Sequence, residues 1–172
     1  VVTAQDGTSK QYTIAVTRLS NDATLSSLAV SVGTLSPVFD SRTMTYAVSV
    51  PNATTSIDVT PTLSDAAGAT MTVNGLPATS GSPSSASLNV GSNMITIAVT
   101  AQDGTLKQYT TAVTRKSKDA TLSSLTVSAG TLSPAFDSKT ITYAVSVPNA
   151  TTSIDVTPTT ANAFATVTVN GL

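Results

Sequence analysis

The stretch that decides the fold is residues 94–115, MITIAVTAQDGTLKQYTTAVTR. Ile95, Ile97 and Val99 take every second position, and Tyr109, Thr111 and Val113 do the same beyond Asp103-Gly104. Successive side chains of a strand point to opposite faces, so this period of two is what a half-buried strand requires. Asp-Gly between two such runs marks a tight hairpin, because Gly takes the positive φ that the turn needs. The spacing predicts paired strands over about 94–101 and 107–115.

Outward from this hairpin the alternation continues. Leu28, Val30 and Val32, then Tyr46, Val48 and Val50, then Ile57 and Val59, Met71 and Val73, and Leu88 and Val90 follow the same rule, with Ser, Thr or Ala between them. β-branched residues dominate, and no ten-residue stretch has helical periodicity. Asn74-Gly75, Gly91-Ser92-Asn93 and Pro51-Asn52 supply turns between the runs. The expected strands lie at about 25–32, 43–50, 55–61, 70–74, 86–90, 94–101 and 107–115. Seven short antiparallel strands predict an all-β, two-sheet Greek-key sandwich. Leu35-Ser36-Pro37 reads as an edge segment crossing over before the second strand, and 77–85 (PATSGSPSS) as a surface loop.

The chain also repeats itself. Tyr12 recurs as Tyr109, Asp22 as Asp119, Phe39 as Phe136 and Asn52 as Asn149, each pair 97 residues apart. Asn74 recurs as Asn170, one residue short, which places a deletion between Pro158 and Thr166. A period this long exceeds a solenoid turn and implies tandem domains. The repeat divides the chain into the last strands of one unit (1–21), a complete unit (22–118) and the first part of a third (119–172). The missing strands of the outer units are expected from covalently adjacent sequence, with pairing between chains at open edges as the alternative. The junctions Arg18-Leu19-Ser20-Asn21-Asp22 and Arg115-Lys116-Ser117-Lys118-Asp119 contain no Gly or Pro, so successive units should stack end to end with restricted freedom.

Composition narrows the function. About a third of the residues are Ser or Thr, 10% are charged, and the net charge is −1. No apolar run approaches the ~20 residues of a membrane-spanning helix, and no basic footprint for nucleic acid exists. The chain has no Cys, His, Trp or Glu, so the usual nucleophile, the commonest general base and the main zinc ligands are missing. No enzyme activity and no cofactor are expected.

The string Asp22-Ala23-Thr24-Leu25-Ser26-Ser27-Leu28, followed by Gly33-Thr34-Leu35-Ser36-Pro37, Phe39, Tyr46 and Val48, resembles the bacterial cadherin-like β-sandwich repeat. So do Val73-Asn74-Gly75, Leu88 to Gly91-Ser92-Asn93, and Val99-Thr100-Ala101-Gln102-Asp103-Gly104 with Tyr109, Val113 and Arg115. The resemblance covers the whole chain. It implies an Ig/cadherin-like seven-stranded sandwich of large bacterial surface and secreted proteins, with a carbohydrate-binding role suggested by the modules found beside it.

Few residues offer a site. Ca²⁺ takes six to eight oxygens; Asp6, Asp22, Asp40, Asp58 and Asp65 are scattered singly and read as turn and cap residues. Tyr46 and Tyr109 fall in the core-facing series. Phe164 is the aromatic without a counterpart in the preceding unit and is the candidate carbohydrate contact. Asn52-Ala53-Thr54 and Asn149-Ala150-Thr151 are glycosylation sequons in equivalent loops, against a plain Pro-Asn turn as the alternative. The Thr-x-Thr pairs read as solvent-facing strand residues rather than an ice-binding face. Lys10 and Lys107 lack a convincing carboxylate partner for an isopeptide crosslink.

The expected function is a structural or display repeat of a large extracellular bacterial surface protein, adhesin, stalk or filament, acting as a rigid spacer. The alternative is a carbohydrate-binding module of a secreted or cell-wall-associated protein. The expected partners are neighbouring repeats of the same or adjacent chains and cell-wall or surface carbohydrate.

Overall fold

Strands and turns, without a helix, make up residues 1–171, which the computed structural model describes. β1 (Val2–Thr3) and β2 (Ser9–Lys10) flank the Asp6-Gly7 turn. β3 (Leu25–Val30), β4 (Thr45–Val50), β5 (Ser56–Leu63), β6 (Thr70–Val73), β7 (Leu76–Ala78), β8 (Ser84–Ser87), β9 (Gly91–Thr100) and β10 (Leu106–Arg115) follow. β11 (Leu122–Val127), β12 (Leu132–Ser133), β13 (Ala144–Val145) and β14 (Val156–Thr160) complete the order.

One sheet runs β4-β10-β9-β6-β7 and the other β3-β5-β8. The chain changes sheet after β3, β4, β5, β7 and β8, the crossing connectivity of a Greek-key sandwich. The central hairpin is as its sequence reads: β9 and β10 pair antiparallel from Leu106↔Thr100 to Arg115↔Gly91.

Two features differ from expectation. The segment 77–85 is not a plain loop: β7 folds back on β6 across Asn74-Gly75, and β8 begins at Ser84, so strands β3–β10 number eight. Pro77 is accommodated because β7 is an edge strand. The strand expected at 86–90 is shifted: β8 spans Ser84–Ser87, with Ala86 as its one buried side chain. Of the Leu88/Val90 pair beyond it, Leu88 is buried while Val90 is 51% exposed. The shift arises because a serine-rich strand carries no apolar alternation to place it. The second difference is that β4 runs parallel to β10, with Thr45↔Thr110 through Val50↔Arg115 in unbroken register. Parallel neighbours need a long connection between them, and these two strands are separated by most of the sandwich.

Tyr46, Tyr109, Leu25, Ile57, Ile95, Ile97, Val50, Val59, Val99 and Val113 fill the space between the sheets. The buried tyrosines also organise polar backbone. The Tyr109 hydroxyl accepts from Leu25 N (3.1 Å) and donates to Ser41 O (3.1 Å), linking β10 to the start of β3 and to the loop before β4. Tyr46 donates to Asp40 O (2.7 Å) and stacks on Phe39 with ring centroids 6.0 Å apart. Gly33 has φ +81°, and a Cβ there would lie 2.7 Å from Val48 Cγ1 and 3.0 Å from Ser49 O. The Gly of Gly-Thr-Leu-Ser-Pro is therefore required by a close backbone approach as well as by its dihedral.

Residues 119–171 repeat part of this pattern. β11 pairs with β14 through a register shift at Leu122/Ser124, as β3 pairs with β5 through one at Leu25/Ser27. The Ser133↔Ala144 pair repeats the Ser36↔Ala47 bridge.

Candidate functional site

A polar network lies where β10 leaves the sandwich. Arg115, its last residue, donates through Nε to Asn52 O (2.8 Å) and through Nη1 to Leu88 O (2.8 Å). Asn52 Nδ2 donates to Lys116 O (2.9 Å), and Lys116 N donates to Val50 O (3.0 Å). The rigid guanidinium fork suits this double attachment, and the charge strengthens both bonds. The ends of β4 and β10 and the segment after β8 are thereby joined at one point.

The opposite end has its own fastening. Ser20 N donates to Gln102 Oε1 (3.2 Å) and Asp103 N donates to Ser20 O (3.0 Å), which attaches the entering chain to the β9–β10 turn. Asp65 is held below the ordinary carboxylate range, first by the Ser20 hydroxyl and then by Gly68 N.

A cleft of about 540 Å³ opens beside the exit, lined in part by Ser49, Val90, Arg115, Lys116, Asp119 and Phe164. Phe164 is 87% exposed. It stands in the shortened loop in place of Ala67-Gly68, and its N donates to Asn162 Oδ1 (3.0 Å) as Gly68 N donates to Asp65 Oδ1 (2.9 Å). The arrangement offers an apolar ring face beside an Arg, a Lys and an Asp.

The other predicted residues are placed as follows. Tyr46 and Tyr109 are buried in the core, and Phe39 packs against it. Asp6, Asp22, Asp40, Asp103, Asp119 and Asp137 each accept the backbone N–H two residues ahead, through Thr8, Thr24, Arg42, Thr105, Thr121 and Lys139. Among the described residues no group of three or more acidic side chains is placed to hold a cation. Asn52 is half-buried, and its amide nitrogen, the atom a glycan would occupy, is the one bonded to Lys116; Asn149 is exposed. The Arg115–Asn52 tie was not read from the sequence, although Arg18 and Arg115 recur at one repeat position, as Asn52 and Asn149 do. Thr111 belongs to the inward series, and its hydroxyl is buried without a hydrogen-bond partner, which alternation alone does not reveal.

The two sheets and their crossing connectivity define a β-sandwich domain over β3–β10. The family described as Cadherin-like beta sandwich domain matches residues 25–116 and again 122–172, and the chain belongs to that family. A relative from Evansella cellulosilytica, named "Putative membrane protein", is 46% identical over 101 residues. The match covers 58% of this chain and 15% of that protein's length. No helix among the described residues is long and apolar enough to cross a membrane.

Proposed function

We propose that the chain is a non-catalytic structural repeat of a bacterial surface or extracellular protein, acting as a rigid spacer that displays other parts of that protein. The observation that carries this reading is the position of the two fastenings. The entering chain is bonded at the β9–β10 turn and the leaving chain at the ends of β4 and β10, so the ten residues of β10 separate them. Each unit then adds about 35 Å along one direction, given ~3.3 Å per strand residue. Membership of the cadherin-like family and the name of the Evansella relative support the surface location. The closest-lying partners in this reading are neighbouring repeats of the same or adjacent chains.

Small-angle scattering on chains with increasing numbers of repeats tests it. Maximum dimension should grow by about 35 Å per repeat; growth of less than half that amount would show units folding back on one another and would end the spacer reading.

A second reading, carbohydrate binding, is favoured by Phe164 alone: an exposed ring with polar neighbours is the chemistry that receives a sugar face. Binding on a glycan array that disappears in Phe164→Ala would support it, and an array without a hit would remove it.

A further inference from the structure

We infer that the parallel β4–β10 pair, closed by the Arg115–Asn52 tie, is a shear clamp that sets the force at which the sandwich opens when pulled end to end. The inference deepens the spacer reading, because a spacer that holds its length must also hold it under tension.

The geometry follows from three observations. First, the chain enters and leaves at opposite ends. Leu25 N at the start of β3 is bonded to the Tyr109 hydroxyl, whereas Lys116 N, just beyond β10, is bonded to Val50 O. Tension on the entering side reaches β4 through β3 and residues 31–44, and so arrives at Thr45. Tension on the leaving side arrives at Arg115. Secondly, β4 and β10 are parallel, so those two points lie at opposite ends of one ladder. The pull then acts along the strands and stretches the ladder bonds together, from Thr110 N–Met44 O (2.8 Å) to Lys116 N–Val50 O (3.0 Å). A pull applied to both strands at the same end would break them one after another.

Thirdly, this ladder resists slippage. Its register is unbroken, whereas the β3–β5 register shifts between Leu25 and Ser27. Tyr46, Val48 and Val50 on β4 and Tyr109, Thr111 and Val113 on β10 are all buried. A one-residue slip would turn each of these side chains outward. The Arg115 bonds to Asn52 O and Leu88 O sit where the force leaves the sandwich, and Asn52 Nδ2 secures Lys116 just beyond. This accounts for Arg at the end of the last strand and Asn after Pro51 without a ligand.

The chain has no cysteine, so introduced thiols can serve as unique handles for single-molecule pulling on the full chain. Asn21→Cys with Lys118→Cys loads the ladder from opposite ends; Ala53→Cys with Lys118→Cys loads it from one end. All three positions are exposed. Forced rupture is governed by the unfolding barrier, and the opposite-end geometry should require more than about twofold the force of the same-end geometry. Arg115→Ala, checked by its melting transition to be folded, should lower the opposite-end force. Equal forces in the two geometries, or an opposite-end force unchanged by Arg115→Ala, would overturn the clamp. Units that fail to extend in scattering but still show the force ratio would sink the spacer reading and leave the clamp standing.

Discussion

Residues 10–18 and 107–115 read KQYTIAVTR and KQYTTAVTR, and the structure treats them in opposite ways. Tyr109 and Val113 are completely buried in β10, whereas Tyr12 is 69% and Val16 88% exposed. The same contrast appears further on: Val50 and Val59 have no exposed surface, and their counterparts Val147 and Val156 are each 39% exposed. Alternation therefore specifies which side chains share a face, and the facing sheet supplies the burial. Local structure does not depend on that partner. The Tyr143 hydroxyl still donates to Asp137 O (2.6 Å), as Tyr46 does to Asp40 O, and Phe136 still stacks on Tyr143 at 6.1 Å.

The largest test of this contrast is a pair of identical substitutions. Tyr109→Ala removes a buried ring and should cost about 3–5 kcal/mol in denaturant unfolding. Tyr12→Ala should change stability by no more than about 0.5 kcal/mol. Similar effects at both positions would mean that residues 10–18 are packed as β10 is.

Next come the glycines, where the two regions should agree. Gly33→Ala places a methyl 2.7 Å from Val48 Cγ1 at φ +81°, and Gly130→Ala places one 2.6 Å from Ser146 O at φ +76°. Gly33→Ala should cost about 1–3 kcal/mol. Gly130→Ala should disturb the amide resonances of β12 and β13 while leaving the melting transition of β3–β10 in place.

Thr111→Val should work in the other direction. Its Oγ1 is buried without a partner, and the matching position in 10–18 is Ile14. Removing the hydroxyl at constant shape should stabilise by about 1 kcal/mol, read as a melting rise of about 4–8 °C. A fall in stability would mean that the hydroxyl has a hydrogen-bond partner.

The smallest effect is alkaline. Burial raises the Tyr109 phenol above the ordinary tyrosine value, and the bond from Leu25 N offsets part of that rise. Its contribution to stability is complete below pH of about 10 and is lost as pH climbs through the raised folded value. Tyr109→Phe should flatten that alkaline decline, although it leaves Leu25 N without its acceptor and lowers stability at neutral pH.

The central hairpin was legible because Ile95, Ile97, Val99, Tyr109 and Val113 state both period and face, and Asp103-Gly104 states the turn. β8 was less legible because serine carries no facing information, and β7 because it lies within a stretch rich in Gly, Pro and Ser. The parallel β4–β10 pairing was hidden for a different reason: alternation says nothing about which edge a strand joins or in which direction. Phe164 was legible as an aromatic without a counterpart, and it is exposed in the structure. Arg115 was not, since a lone Arg at a strand end has no local pattern and its partners lie 63 and 27 residues away.

Hydrogen exchange of the dilute full chain tests most directly whether burial in this repeat comes from the facing sheet. Amides of β4, β9 and β10 should exchange only through global opening, while those of residues 11–18 exchange near the rate of an unstructured peptide. Protection of residues 11–18 equal to that of 108–115 would contradict the claim.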